Sequence, residues 1–322
     1  MKRLIPLVLL AAPAVAQDRP VLTVLTYDSF TSEWGPGPEI ETRFEETCGC
    51  DLVFETGGDG AALLARVQLE GEGSDADLVL GLDTNLMARA RETGLFAPHG
   101  IEAPALDLPV EWDDDTFLPF DWGWFAFVRR ADTPAPASLA DLAASDATVI
   151  VQDPRSSTPG LGLALWLERA GGPELMEAMA DNVVTVTKGW SEAYGLFTEG
   201  EADMVLSYTT SPAYHLIAEG DDGFAADAMA EGNYLQVEVA AMLAGSDQPE
   251  LARAFLAFMD TDAFQSVIPT TNWMYPARTP AEGLPDGFDT LAVPETSLLA
   301  DPADGEAPAR AAAAWLDALA RR

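Results

Sequence analysis

The chain has 322 residues, of which 53 are acidic and 17 basic, and its formal charge is −36. Hydrophobic residues make up 48% of the sequence, which supports a packed core and argues against disorder. The length suits two domains of ordinary size. So acidic a surface disfavours nucleic acid and anionic lipid as partners, and it is compatible with a cationic ligand. Adaptation of the whole surface to a salty medium is the alternative explanation of the charge.

Residues 1–16 have the pattern of a secretory signal peptide. Lys2 and Arg3 precede the apolar run 4–15, and the Ala-Val-Ala tripeptide ending at Ala16 is a small-residue cleavage site. Cleavage there leaves 15 basic against 53 acidic residues, a charge of −38. No later run is apolar over the length that a bilayer requires, and no cysteine beside the cleavage site could carry a lipid. We therefore expect a soluble protein in the periplasm, without stable membrane insertion.

The two cysteines, Cys48 and Cys50, are separated by a single glycine. Export to an oxidising compartment favours a disulfide between them, and Gly49 supplies the backbone freedom that so tight a ring needs. A loop this short would stabilise the fold little through chain entropy. A metal site is disfavoured because the only histidines are His99 and His215, so soft ligands are few.

The first hundred residues alternate between strand and helix patterns. The expected elements are a strand at 21–27, a helix at 39–48, a strand at 51–55, a helix opened by the turn 57–60, a strand at 76–83 and a helix at 85–92. This alternation predicts βαβ units and a parallel sheet. In the turn, Asp59 is a natural N-cap; its alternative role, at a strand end facing a cleft, is to pair with a cation.

Two later runs are expected to cross between lobes. Residues 116–128 are aromatic, carry no basic residue and have little helical period, and residues 235–245 read as the returning strand. We therefore assign the first α/β lobe to residues 17–121 plus 239–285. The second α/β lobe then comprises residues 122–238 plus 286–322.

The second lobe opens with a strand at 147–154, followed by an apolar helix. Ser157 or Thr158 would cap that helix, with Pro159 at its first position. The free N–H groups at the start of this helix either form an anion-binding site or are simply capped by one of these side chains. Beyond it we expect an acidic linker after residue 215, an amphipathic helix and a closing helix. The amphipathic helix is expected at 249–260, with Leu251, Ala254, Phe255 and Phe258 facing inward. An aromatic loop at 270–276 follows it, and the closing helix is expected at 307–319.

The stretch 188–215 concentrates aromatic and hydroxyl side chains. Ser191 is a plausible N-cap for a short helix that Gly200 ends, residues 204–208 read as a buried strand, and Ser211 reads as a second cap before a proline. The segment 208–211 would then lie on a strand-to-helix turn, the edge where open α/β sheets bind ligands. The alternative is that these aromatic residues only pack in the core.

No enzymatic arrangement is apparent in the sequence. Neither histidine has a triad setting, and there is no Walker loop and no GxGxxG after a strand. Aromatic turns and helix N-termini at strand ends instead suit recognition of a small planar ligand in an interlobe cleft. Aromatic faces attract a cation, whereas helix N-termini favour a phosphate or hydroxyl at the other end of the ligand.

Nine segments carry a resemblance to a known family. They are YDSF (27–30), WGPGP (34–38), DG (59–60), ADLVLGLD (76–83), TFLPFDWG (116–123), QDPRSSTPGLGL (152–163), TKGWSEAYGLF (187–197), LSYTTSPAYH (206–215) and NWMYP (272–276). Through them the chain resembles the bacterial periplasmic thiamine-binding proteins of ABC transporters. The resemblance implies a type II periplasmic-binding-protein fold, with two lobes, a ligand cleft between them and a two-stranded hinge. It implies binding of thiamine and its mono- and diphosphates, and delivery to an inner-membrane permease driven by an ATPase. We expect a monomer without a cofactor.

The resemblance also implies a set of ligand contacts. They are Asp59, Gly60, Ser157, Thr158, Trp190, Tyr208, Thr209, Thr210 and Ser211, with Trp34, Tyr214 and Trp273 as further aromatic residues. In this hypothesis the aromatic groups stack on the pyrimidine and face the thiazolium. Asp59 balances the positive charge or accepts from the aminopyrimidine. Ser157, Thr158 and Ser211 hold the hydroxyethyl or phosphate end.

Two other functions remain as alternatives. Thiamine-degrading transferases look similar in fold and use a cysteine nucleophile, but pairing of Cys48 with Cys50 would remove the thiolate. A binding protein for another small solute, such as a polyamine or ferric ion, is the second alternative. Iron would require a cluster of hard oxygen ligands, and aromatic turns argue against one.

Overall fold

The computed structural model describes residues 19–101, 106–301 and 304–322. The predicted signal peptide, residues 1–16, and its cleavage site lie outside these ranges. Among the described residues, no helix has the length and apolarity required to span a bilayer.

Twelve strands are found in this part of the chain. In order they are β1 (Val21–Thr26), β2 (Asp51–Thr56), β3 (Leu78–Asp83), β4 (Phe96–Ala97), β5 (Leu118–Arg130), β6 (Val149–Gln152), β7 (Val183–Thr187), β8 (Met204–Tyr208), β9 (Phe224–Ala226), β10 (Asn233–Leu243), β11 (Tyr275–Pro276) and β12 (Ser297–Leu298).

The helices surround these strands. In order they are α1 (Gly37–Cys48), α2 (Gly60–Glu70), α3 (Met87–Glu92), α4 (Leu139–Ala143), α5 (Thr158–Ala170), α6 (Gly172–Ala180), α7 (Trp190–Thr198), α8 (Pro212–Tyr214), α9 (Pro249–Met259), α10 (Asp262–Gln265), α11 (Ile268–Thr271) and α12 (Ala307–Arg321).

The sheet has the strand order β2-β1-β3-β10-β5-β8-β6-β7. At one end β1 pairs in parallel with β2 and β3, and at the other β6 pairs in parallel with β7 and β8. We call these ends, with their packed helices, the β1–β3 lobe and the β6–β8 lobe. Helix α12 packs on α5 and α6 of the β6–β8 lobe. The βαβ pattern and the two-lobe α/β fold predicted from the sequence are therefore confirmed.

The long strands β5 and β10 connect the two lobes. They run antiparallel to each other; β10 also pairs with β3, and β5 also pairs with β8. The partner of β5 changes along its length, from β10 at Trp124 to β8 at Phe125. Both crossings predicted from the sequence are thus strands. The predicted lobe boundaries, 121/122 and 238/239, fall within β5 and β10 and stay predictions.

Several local predictions were wrong. Helix α7 begins at Trp190 with Gly189 as its N-cap, so Ser191 lies inside the helix. The predicted stop holds, because the helix ends at Thr198 and the Gly200 N–H donates to its last turn. The predicted acidic linker is shorter than expected: a π-helical turn, His215–Glu219, comes first, and residues 220–223 then lead to β9 without regular structure.

The inward face of α9 is rotated from the predicted one. Its buried residues are Ala252, Phe255, Leu256 and Met259, whereas Ala254 is exposed and Leu251 and Phe258 are half-buried. The predicted loop at 270–276 is shorter than expected, because α11 extends to Thr271 and β11 begins at Tyr275, which leaves residues 272–274 between them. Cys48 and Cys50 form the predicted disulfide, at the turn from α1 to β2.

Candidate ligand-binding site

A cavity of about 490 Å³ lies between the two lobes. Its volume is within the range of small-molecule sites, and aromatic rings dominate its walls. The lining residues are Tyr27, Ser29, Trp34, Asp59, Gly60, Thr158, Pro159, Trp190, Ser191, Tyr194, Gly195, Thr198, Tyr208, Ser211, Tyr214, Ala218, Glu238, Thr270, Asn272, Trp273 and Met274. Nine of the twelve predicted site residues are among them.

Asp59 joins the two lobes at one end of this cavity. It occupies the N-cap position of α2, but its side chain does not cap the helix. Instead its Oδ2 accepts from Ser157 Oγ at 2.6 Å and from the Trp190 N–H at 3.0 Å. Burial raises the pKa of Asp59, while these two donors oppose the rise. Asp59 therefore occupies the predicted N-cap position without capping the helix through its side chain, and it lines the cleft; its pairing with a cation stays a prediction.

Gly60 allows the lobes to approach closely beside Asp59. A Cβ atom there would lie 2.4 Å from the Gly81 carbonyl oxygen and 2.5 Å from Thr158 Cγ2, which belongs to α5. The Ala62 N–H also donates across the junction to the Ser156 carbonyl, at 3.1 Å. No other residue type fits this contact without displacing one of its neighbours.

Trp190 lines the cavity from the β6–β8 lobe. Its ring stacks on Tyr194, with centroids 5.0 Å apart and planes inclined by 26°. The indole N–H donates to Ser207 Oγ at 2.8 Å, which fixes the ring orientation. Trp34 approaches from the other lobe at 6.4 Å, and its side chain is 53% exposed. The two tryptophans thus flank the cavity from opposite lobes.

Trp273 and Tyr214 form a second aromatic pair, with centroids 5.5 Å apart. Trp273 has a positive φ of 57°, which is uncommon for a bulky residue and often marks a functional site. Its N–H donates to the Ile268 carbonyl at 3.0 Å. The Tyr214 hydroxyl donates to Glu219, which also bonds His215.

Three predicted contact residues lie behind the cavity wall. Ser157, Thr209 and Thr210 are completely buried and do not line the cavity. The Ser157 hydroxyl donates its hydrogen bond to Asp59, and the Thr210 hydroxyl contacts Met274 Sδ. Ser211 does line the cavity, although its hydroxyl bonds Ser207 instead of capping α8. Direct contact of these three buried residues with a ligand stays a prediction.

The sequence interpretation missed a polar cluster on the crossing strands. Glu238 of β10 lines the cavity and accepts from the Tyr27 hydroxyl at 3.0 Å. Asn272 donates to Tyr27 Oη at 2.9 Å and to Asp121 Oδ2 at 2.6 Å. The sequence did contain a signal for this cluster, because each apolar crossing run includes one acidic residue. Carboxylates are seldom fully buried without a partner, so each of these residues indicated a polar neighbour.

The electrostatics of this cluster follow from its burial. Desolvation raises the pKa of Asp121 to about 7. Desolvation first, and then the neighbouring Asp121, raise the pKa of Glu238 well above its ordinary value. No cluster of three or more His, Cys, Asp or Glu positioned for a metal ion occurs within the described ranges.

Comparisons with known proteins agree with this architecture. Residues 34–266 match the family described as bacterial extracellular solute-binding protein. The thiamine-binding periplasmic protein of Escherichia coli is 52% identical, over all of both chains. That of Haemophilus influenzae is 43% identical over 85% of this chain and 84% of the relative.

A solved periplasmic thiamin binding protein superposes with a TM-score of 0.90 at 51% identity, covering 94% of this chain and 96% of the other. Iron-bound HitA from Pseudomonas aeruginosa, 20% identical over 93% of this chain and 99% of the other, has a TM-score of 0.72 and shares the fold. The chain therefore belongs to the bacterial extracellular solute-binding protein family, whose members are transport components and not enzymes.

Proposed function

We propose that this chain binds thiamine and its mono- and diphosphate in the periplasm and delivers them to an ABC importer. The observation that carries the proposal is the interlobe cavity, where stacked aromatic rings and two separate carboxyl sites surround a space of about 490 Å³. A flat, positively charged, partly apolar molecule complements such a space. Relatives named thiamine-binding periplasmic proteins support the same ligand.

The aromatic rings are suited to the heterocycles of thiamine. Trp190 and Trp34 line the cavity from opposite lobes, with ring centroids 6.4 Å apart and planes inclined by 55°, so a planar ligand would pack against one of these rings and not between them. A cationic ring against an aromatic face gains about 0.5–2 kcal/mol. Asp59 then contributes a carboxyl group close to Trp190, to which it is already bonded.

The hydroxyethyl or phosphate tail requires hydrogen-bond donors. Thr158 and Ser211 line the cavity, and Ser29 and Ser191 lie on the same surface. We place the tail among these groups. The Ser157 hydroxyl, committed to Asp59, contributes indirectly by orienting that carboxylate.

Direct titration tests the proposal. The mature chain is stripped of ligand by unfolding and refolding, and calorimetry and tryptophan fluorescence are recorded with thiamine and each phosphate. We expect saturable heat and a fluorescence change, because Trp34, Trp190 and Trp273 line the cavity. Spermidine and ferric citrate serve as controls. Absence of any response to thiamine or its esters at millimolar concentration would refute the proposal.

The transferase alternative has no support in the site. Its candidate nucleophiles, Cys48 and Cys50, are joined in a disulfide and do not line the cavity. Incubation with thiamine and a nucleophilic base should leave thiamine intact, as judged by mass spectrometry.

A further inference from the structure

The two crossing strands place a pair of carboxyl groups side by side at the cavity. In the ladder between β5 and β10, Asp121 lies directly opposite Glu238. Asp121 is completely buried, and Glu238 is 6% exposed and lines the cavity. A ligand in the cavity therefore meets Glu238 first, with Asp121 immediately behind it.

The hydrogen bonds around this pair leave one oxygen unpaired. Glu238 Oε1 accepts from Gln236 Nε2 at 2.8 Å, and Oε2 accepts from the Tyr27 hydroxyl at 3.0 Å. Asp121 Oδ2 accepts from Asn272 Nδ2 at 2.6 Å. Asp121 Oδ1 is buried, and no donor reaches it from the described part of the chain.

The two carboxyl groups are opposite neighbours in the ladder, and each affects the pKa of the other. Two ionised carboxylates have only acceptors, so a bond between them requires a proton on one of them. In the described ranges neither group forms an ion pair with Lys, Arg or His. Burial together with mutual repulsion disfavours the doubly ionised state, as in other close carboxyl pairs.

The other titratable groups facing the pair supply no positive charge. Asp83 of β3 is opposite Glu238 in the sheet and is itself completely buried. The phenols of Tyr27 and Tyr208 face the pair from the cavity walls, and their ionisation is opposed by both carboxyl groups. The natural source of a compensating positive charge is therefore the ligand.

We propose that Glu238 contacts the ligand, that Glu238 and Asp121 hold one proton between them in the ligand-free protein, and that a cation in the cavity releases this proton to solvent. On release, the carboxyl O–H bond breaks and buffer accepts the proton. The pair then carries two negative charges, which the ligand cation offsets in part. This inference rests on the proposed function, since thiamine supplies the cation.

Linkage gives the sign of the pH dependence. Because burial raises the pKa of both groups, the pair keeps a proton to higher pH than exposed carboxyl groups do. A cation stabilises the ionised form, so affinity should rise with pH until the free pair is itself ionised. One released proton corresponds to at most about a tenfold change in affinity per pH unit.

Calorimetry in two buffers of different ionisation enthalpy, phosphate and Tris, measures the released protons directly. At pH 7 the wild-type protein should release about one proton on binding thiamine. The uncharged isostere of thiamine with a thiophene in place of the thiazolium should bind without release. This comparison varies the ligand charge while the protein stays unchanged.

Two substitutions assign the proton to the pair. Glu238→Gln and Asp121→Asn should each abolish proton release, and Glu238→Gln should also weaken thiamine binding. Asp317→Asn, which changes an exposed carboxyl on α12, should release as many protons as the wild type. Circular dichroism verifies that each variant is folded. If both variants fail to fold, the comparison of thiamine with its uncharged isostere in the wild-type protein decides whether the ligand cation releases a proton.

Each outcome has a separate meaning. Thiamine binding by the wild type with equal heats in both buffers refutes the inference and leaves the proposed function intact. Undiminished proton release in folded Glu238→Gln also refutes it. If the wild type does not bind thiamine at all, the proposed function fails, and this inference fails with it.

Discussion

Two carboxyl sites face the same cavity, and the structure holds them in different ways. Asp59 accepts hydrogen bonds from Ser157 and from the Trp190 backbone, both in the β6–β8 lobe. Glu238 instead lies beside a second carboxyl group, Asp121, on the strands that connect the lobes. Both carboxyl groups accept hydrogen bonds, but Glu238, which accepts from Gln236 and Tyr27, also has a like charge beside it that disfavours its ionised form.

This difference suggests different roles for two chemically similar groups. At Asp59 the donors offset part of the desolvation, so the ionised form is supported and the lobes are tied together at that point. At Glu238 the neighbour adds to the desolvation, so the group is ready to lose a proton when a positive charge arrives. We expect Asp59 to fix the closed form and Glu238 to respond to the charge of the ligand.

Removing Asp59 should have the largest effect on binding. Asp59→Ala leaves the Ser157 hydroxyl and the Trp190 N–H without their acceptor, and it removes a negative charge from the cavity. We expect thiamine affinity to fall by about 2–4 kcal/mol, as for other buried charged hydrogen bonds. Isothermal titration calorimetry measures the change.

Asp59→Asn is the matched control, because it keeps one acceptor oxygen and loses only the charge. We expect an intermediate affinity, with wild-type proton release. Affinity equal to the wild type in Asp59→Ala would show that this carboxyl group neither contacts the ligand nor stabilises the closed form.

Removing the Trp190 ring should have the second-largest effect on binding. Trp190→Ala removes the ring that stacks on Tyr194 and faces the cavity. Lost area and cation–aromatic attraction should weaken thiamine binding by on the order of 1–3 kcal/mol. Trp112→Phe, at a tryptophan that does not line the cavity, is the control. Unchanged calorimetric affinity in Trp190→Ala would exclude the proposed stacking role.

The close contact between the lobes at Gly60 can be tested with both carboxyl sites left in place, and its effect on binding should be smaller. In Gly60→Ala the new methyl group would press on the Gly81 carbonyl and on Thr158 across the junction. We expect roughly 1–2 kcal/mol lower affinity, in the range of overpacking effects, with proton release retained. Gly73→Ala, at a glycine with open space around it, should bind like the wild type in the same titration. Wild-type affinity in Gly60→Ala would mean that binding does not require this contact.

Much of the fold was predictable because it follows from local patterns. The apolar run 76–83 and the aromatic run 116–128 lack the polar period of surface helices, and both contain strands. Strand–helix alternation then implied parallel pairing. Several of the wrong predictions concern helix caps: Ser157, for example, has the right residue type and position but does not cap α5 through its side chain. Its hydroxyl bonds Asp59, 98 residues away, and local propensity contains no information about so distant a partner.

The candidate site was predictable in part for the same reason. Aromatic residues on turns, such as Trp190 and Trp273, stand out in sequence, and the structure brings them to one cavity. The pair of Asp121 and Glu238 depends on the register between two strands far apart in the chain. Each acid alone was a visible anomaly in an apolar run, but only the sheet shows that they are neighbours.

The smallest expected effect concerns stability without ligand. The pKa of Asp121 is raised by burial to about 7, above its value in an unfolded chain, so folding favours the protonated form. That contribution to stability is fully present at low pH and is lost as pH rises toward and through about 7. Thermal melts of the ligand-free protein should therefore show a melting temperature that falls by a few degrees between pH 5.5 and 8.

Asp121→Asn should flatten this slope, because it removes one of the titrating groups and leaves Glu238 with Asp83 as its remaining carboxyl neighbour. Asp203→Asn is the matched control: Thr148 donors lower the pKa of Asp203, so this group is ionised throughout the range and should not alter the slope. A wild-type melting temperature that rises with pH would contradict a proton held by the pair. A slope unchanged in Asp121→Asn would assign the effect to Asp83, whose pKa burial also raises to about 7.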